Sequence, residues 1–324
     1  MFWEDTMKQI LKTIILAIAV LTVPVVGHSE EWTPPGPITM MIGFAAGGGA
    51  DTQARLVAQG IEAKYGWKIL PQQATGNSGL SLAAELAKAP NDGTAIGMVV
   101  SETLTYSALA AADAELQLEK FTSLATTASF EMGLVAMADG DFKSWDKVVE
   151  ASKQGKQIRF GTASERQADV AYLFGNSIGI DFNIVQVKGG AGVMNGLRGG
   201  DLDIGWVAGA QSKAVQQGEM VNIASGIPGK LKDSPDAPLI TDLGSPFDLA
   251  GYFMFIAPAN LDPAARKAIG AAIKDVLEDP TSEANALVTK GFGGPDVITD
   301  EALDARMTEF ETSAAKLLEQ AQSN

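Results

Sequence analysis

The chain has 324 residues, with 39 acidic against 24 basic side chains, a formal net charge of −15, one histidine and no cysteine. So acidic a protein is not built to hold nucleic acid or an anionic membrane nonspecifically. With no cysteine, and its one histidine at His28, the chain beyond the N-terminal segment has no Ser-His-Asp or Cys-His catalysis, no Cys/His zinc site and no disulfide.

Lys8 and Lys12 precede an apolar run from Ile14 to Val26, followed by the small-residue stretch Gly27-His28-Ser29. This order predicts a secretory signal over residues 1–29, with cleavage near Ser29–Glu30. The apolar run is short and is interrupted by Pro24, which argues against a membrane span. The expected product is an exported, periplasmic chain of about 295 residues, a length that predicts two domains.

Beyond the signal, short apolar strands alternate with helices. Strands are predicted at 39–43, 68–71, 95–100, 133–138, 158–161, 184–187, 203–207, 222–224 and 252–257. Helices are predicted at 51–65, 79–88, 145–153, 167–178, 191–198 and 263–278, with a final amphipathic segment at 301–318. No strand is read between Glu102 and Met132. Such alternation predicts an α/β fold with largely parallel sheets, whose ligands sit beyond the carboxyl ends of the strands.

The first strand runs into Gly43-Phe44-Ala45-Ala46-Gly47-Gly48-Gly49-Ala50-Asp51, after which a helix begins. A bare backbone entering a helix N-terminus offers N–H donors and partial positive charge, a cradle for a small anion that needs no cationic side chain. There is no Gly-Lys-Ser/Thr for a P-loop, and the glycine spacing is wrong for a dinucleotide fingerprint. A carboxylate fits better, and a branched side chain at Gly48 is expected to block it. A tight turn without a ligand is the competing reading.

Four stretches, in order, carry a family resemblance over nearly the whole mature chain. They are Gly43–Asp51 with Arg55, against F-x-P-G-G-x-x-D-x-x-x-R; Gly76-Asn77-Ser78-Gly79 through Asn91-Asp92-Gly93-Thr94; Val187-Lys188-Gly189-Gly190 through Gly199-Gly200-Asp201-Leu202-Asp203; and Tyr252 to Ala257-Pro258, with Asp262-Pro263 opening a helix. The chain resembles the solute-binding proteins of tripartite tricarboxylate transporters, the TctC or Bug family. The resemblance implies a type II periplasmic binding-protein fold, two α/β domains with a ligand cleft between them. Residues 30–130 plus 252–324 would form domain 1, and 131–251 domain 2. It also implies a non-enzymatic receptor, expected as a monomer without cofactor or metal, that delivers a small mono- or dicarboxylate to membrane permease subunits. A sensory receptor for a membrane kinase and a carboxylate-dependent enzyme are the alternatives.

The implied ligand contacts are the first loop (Phe44, Ala46, Gly47, Gly48, Gly49 and Asp51), the second loop (Asn77 and Ser78) and the strand end at Ser101. From domain 2 come Thr162, Ala163, Ser164 and Arg166, with Lys188 and Trp206 beside them. Asp51 is read as a helix cap and Arg55 as structural. Arg166 reads either as a bidentate carboxylate ligand or as a salt bridge to Glu165 or Asp169. Trp206 and Tyr252 read as cleft walls or as core. Glu102 is the odd residue, an acid placed where an anion is expected. The usual proline of the first motif is Ala46, and Glu165-Arg166 replace glycines in the domain-two loop.

Overall fold

The computed structural model describes residues 32–323; the expected signal over 1–29 and its cleavage site lie outside them. Two five-stranded sheets carry the chain. The first has the order β2-β1-β3-β10-β4, formed by β1 (Ile38–Ile42), β2 (Ile69–Gln73), β3 (Ala95–Val100), β4 (Phe121–Ser129) and β10 (Tyr252–Pro258). The second has the order β7-β6-β8-β5-β9, formed by β5 (Met132–Met137), β6 (Ile158–Thr162), β7 (Phe182–Gln186), β8 (Ile204–Ala208) and β9 (Met220–Ser225). Each sheet with its helices is called a lobe below.

The sheets are mixed, which corrects the expectation of largely parallel ones. β1 pairs in parallel with β2 and β3, but β10 runs antiparallel to both β3 and β4. In the second lobe β6 pairs in parallel with β7 and β8, while β5 runs antiparallel to β8 and β9. The reversed strand in each case is the first one after the chain crosses between lobes. β4 leads through Phe130 and Glu131 into β5, and Gly251 leads back into β10. The crossings lie side by side. Phe130 N donates to Gly251 O at 2.8 Å, and Ser101 Oγ accepts from Tyr252 N at 3.1 Å.

The helices are α1 (Gly49–Tyr65), α2 (Leu80–Leu86), α3 (Ala108–Ala111), α4 (Trp145–Lys153), α5 (Glu165–Ile178), α6 (Gly189–Gly199), α7 (Ser212–Gln216), α8 (Pro263–Glu278), α9 (Glu283–Gly291) and α10 (Asp300–Ser323). α8 shows how locally these are specified. Asp262 accepts from the N–H groups of Ala264 and Ala265, and Pro263 takes the first helical position, where no donor is needed. α1 buries Ala54, Val57, Ala58 and Ile61 and ends at Gly66. α10 buries Leu303 and Met307 in one cluster with Met41, Leu82, Leu86 and Met254, so the end of the chain belongs to the first lobe's core. Among the described residues no helix is long and apolar enough to cross a membrane.

β4 and α9 carry no strand or helix signal in the sequence reading. β4 reads Phe-Thr-Ser-Leu-Ala-Thr-Thr-Ala-Ser and is buried along almost its whole length. Its hydroxyls are satisfied from far away in the chain. Thr126 donates to Asp296 O at 2.6 Å, and Thr127 donates to Gln53 Oε1. A polar strand is tolerable in a core once its donors are paired.

Candidate functional site

The first loop leaves β1 and feeds α1. Gly47 takes φ +76°, and its N–H donates to Asp51 Oδ2 at 2.9 Å; Gly48 N donates to Ala45 O at 3.1 Å. Two of the expected anion donors are thus used to fold the loop on itself. The N–H groups of Gly49, Ala50 and Asp51 open α1 and have no partner within the helix. Asp51 sits inside the first turn, not at the cap. It is buried, and it also accepts from Arg55 Nε at 2.9 Å and from Gln73 Nε2. Gly48 is the N-cap at φ −74°, so the left-handed position is Gly47 and the steric expectation for Gly48 does not rest on φ.

The second loop is strained. Gly76, Asn77, Ser78 and Gly79 all have positive φ, two of them without being glycine. Such conformations persist where surrounding contacts over-determine them. Here Ser78 O accepts from Thr103 Oγ1 at 2.8 Å, and a Cβ on Gly79 would lie 2.7 Å from that same oxygen. Asn77 is exposed and Ser78 half-buried.

In the second lobe β6 runs into α5 with ordinary backbone geometry. Ser164 Oγ caps the helix by accepting from Gln167 N at 3.3 Å, and Gln167 Oε1 accepts from Ala163 N at 2.8 Å. Ser164 and Ala163 are therefore engaged in the cap, leaving the first-turn N–H groups of Glu165 and Arg166 without helical partners. Thr162 is fully buried, and its Oγ1 has no hydrogen-bond partner.

Arg166 points neither to Glu165 nor to Asp169. Its Nη1 donates to Ala250 O at 3.0 Å, Nη2 reaches Asp248 O at 3.3 Å, and Nη1 lies 3.8 Å from Glu102 Oε2 across the lobe boundary. Asp169 instead accepts from Tyr106 Oη, a second bond between lobes. Burial, then the Asp169 carboxylate, push the Tyr106 phenol well up, so it stays a donor at any ordinary pH. Glu102 Oε2 is buried without a hydrogen bond.

A second set of contacts joins the lobes beside the first loop. Ser212 Oγ donates to Gly291 O at 3.3 Å and Lys232 Nζ donates to Thr289 O, both carbonyls at the C-terminal end of α9. Lys232 N donates to Glu131 Oε2 at 2.9 Å, and burial holds the Glu131 carboxyl above its usual range. One set thus adjoins the second glycine loop through Thr103, and the other adjoins Gly49 through Phe292.

Of the remaining expected residues, Phe44 is half-buried, Ala46 and Lys188 are exposed, and Lys188 stands at the N-cap of α6. Ser101 is engaged at the crossing. Trp206 is wholly buried, its ring 5.3 Å from that of Phe160, so it belongs to the second lobe's core. Tyr252 turns toward Phe310 of α10. The sequence reading missed Tyr106, Phe292 and Lys232, for which no motif speaks. Among the described residues no group of three or more Asp, Glu, His or Cys side chains could hold a metal ion.

Residues 53–304 match the family described as the tripartite tricarboxylate transporter family receptor. The chain belongs to this family. A UPF0065 protein from the TAR-I ttuE–ttuC' intergenic region of Agrobacterium vitis is 27% identical over 314 residues, 95% of this chain and 91% of the relative. The solved structure of the periplasmic binding protein BugD superimposes with a TM-score of 0.76 at 20% identity, over 90% of this chain and 99% of its own. An R. palustris protein with adipate gives 0.75 at 18% identity over 89% and 98%. MatC of Rhodopseudomonas palustris with bound malate gives 0.73 at 19% identity over 88% and 99%. The fold is that of two-domain periplasmic binding proteins, and the family is one of solute receptors, not enzymes.

Proposed function

We propose that the protein captures a small mono- or dicarboxylate between its lobes in the periplasm. It then presents that acid to the membrane subunits of a tripartite tricarboxylate-type transporter. The observation that carries this reading is the pair of helix N-termini, α1 and α5. Each is fed by the carboxyl end of a parallel strand and keeps first-turn N–H groups without helical partners. Relatives of the same fold that hold adipate and malate support the ligand class. In this reading domain 1 is 30–130 plus 252–324, domain 2 is 131–251, and the paired crossings at Phe130 and Gly251 are the hinge.

The contacts on this reading are the Phe44–Gly49 loop, Asn77 and Ser78 from domain 1, and the Thr162–Ser164 turn with the α5 amides from domain 2. Arg166 acts on the closed form through Glu102 and the crossing segment. A ligand held from both sides stabilises the closed form. At a free acid concentration of 100 times Kd the gain is about 2.7 kcal/mol, which raises the melting temperature by several degrees at roughly 2–4 °C per kcal/mol. Thermal melts against a panel of mono- and dicarboxylates, followed by calorimetry on the best, test this. A panel in which no acid raises the melting temperature would sink the reading.

A further inference from the structure

Phe292 follows the last turn of α9, and its ring lies between two glycines from different lobes. A Cβ on Gly49, at the N-terminus of α1, would sit 2.9 Å from the ring's Cζ. A Cβ on Gly209, just after β8, would sit 2.5 Å and 2.6 Å from Cδ1 and Cε1. Gly49 opens α1 after β1 and Gly209 directly follows β8, and the buried ring fills the gap where those two segments approach. It is held firmly there. Phe292 N donates to Val288 O at 2.9 Å and Gly294 N donates to the same carbonyl at 3.1 Å. Behind the ring runs an aromatic series. Phe292 meets Phe253 edge-on at 5.0 Å, and Phe253 meets Phe130 edge-on at 5.1 Å. Phe130 belongs to the crossing between lobes, so the ring is backed by the hinge and cannot retreat without moving it.

We propose that Phe292 is a specificity-determining residue, a wedge that ends the ligand chamber beside the first glycine loop and limits the length of acid the closed form accepts. This rests on the acid-receptor reading above. An aromatic ring fixed by its own helix end and by two rings behind it does not yield to a longer ligand as a flexible side chain would. A longer acid must therefore hold the lobes apart, losing the Ser212–Gly291 and Lys232–Thr289 contacts.

The test is calorimetry of linear α,ω-dicarboxylates, from malonate to suberate, against the parent, Phe292→Ala and Phe292→Leu. The parent is expected to bind a short member best and the longest at least tenfold more weakly. Phe292→Ala is expected to move the optimum to an acid at least two carbons longer. Phe292→Leu, which retains apolar packing against Phe253 and guards against misfolding of the alanine variant, is expected to move it by about one carbon. Binding by the parent with the same length profile in every folded variant would overturn the wedge and leave the receptor reading standing. No binding of any acid by the parent would sink both.

Discussion

The first strand-to-helix loops of the two lobes are built by different means. In the first lobe the work is done by backbone conformation. Gly47 and the run Gly76–Gly79 take positive φ, and the buried Asp51, itself paired with Arg55, closes the first loop. In the second lobe the loop from Thr162 to Gln167 has ordinary φ throughout, and side chains hold it, Ser164 and Gln167 capping α5 and Arg166 tying it to the crossing segment. A loop held by backbone strain is intolerant of an added atom where it is also closely packed, as at Gly79. A loop held by side chains is intolerant of deletion and tolerant of replacement by another capping group.

The largest expected effect lies where the lobes are tied together. Arg166 and Glu102 are both buried, and removing one charge of a buried pair leaves the other uncompensated, at a cost of about 3–5 kcal/mol. Arg166→Ala should therefore lower the melting temperature of the ligand-free protein steeply, and Glu102→Gln in the same chain should restore a good part of it. Denaturant melts of both variants check this. A single variant that melts like the parent but has lost its acid would place the guanidinium on the ligand instead.

How much was legible in the sequence follows the same division. The first glycine loop, the helix beginning near Asp51 and the strand that feeds it could be read, because glycine and an apolar strand leave a local signature. The role of Asp51 could not: its partners Gly47 and Arg55 are near in sequence, but Gln73 is not. Arg166 was visible as a candidate, yet its partner is Glu102, which only the meeting of two lobes brings within 3.8 Å. β4 was illegible because a strand of threonines and serines looks like a loop until Gln53 and Asp296 are seen to satisfy it. Phe292 stands among glycines with no periodicity, and its neighbours Gly49 and Gly209 lie far from it and from each other in the sequence.

The strained loop of the first lobe gives the next effect in size. At Gly79 a methyl group meets Thr103 Oγ1 at 2.7 Å, and φ is +92°. The left-handed conformation costs a non-glycine residue roughly 1–2 kcal/mol and the forced packing roughly 1–3 more. Gly79→Ala is expected to destabilise by about 3 kcal/mol. Gly47→Ala separates the two contributions, since φ is +76° there but nothing lies within 4 Å of the added methyl. It should cost only about 1 kcal/mol. Equal losses at the two positions, measured by urea unfolding, would show that the contact with Thr103 is not what makes the second loop rigid.

The smallest effect on stability is expected in the second lobe, and it sharpens the contrast most. Ser164→Ala removes the oxygen that accepts from Gln167 N and should cost about 1 kcal/mol, the usual loss for a helix cap. Ser164→Asp keeps a capping oxygen and adds negative charge at the N-terminus of α5, where the helix dipole favours it, so its stability should match the parent's to within a few tenths of a kcal/mol. The two variants part company in binding. If a ligand carboxylate shares the first turn of α5, the aspartate repels it. Affinity should then fall at least tenfold, a loss of about 1.4 kcal/mol, although the fold is intact. Ser164→Ala, with no added charge, should bind within a few-fold of the parent. Calorimetry with the best acid from the panel reads the difference. An aspartate variant that binds as well as the parent would mean that the acid is gripped by the first lobe alone, and that the side-chain-built loop serves only to close over it.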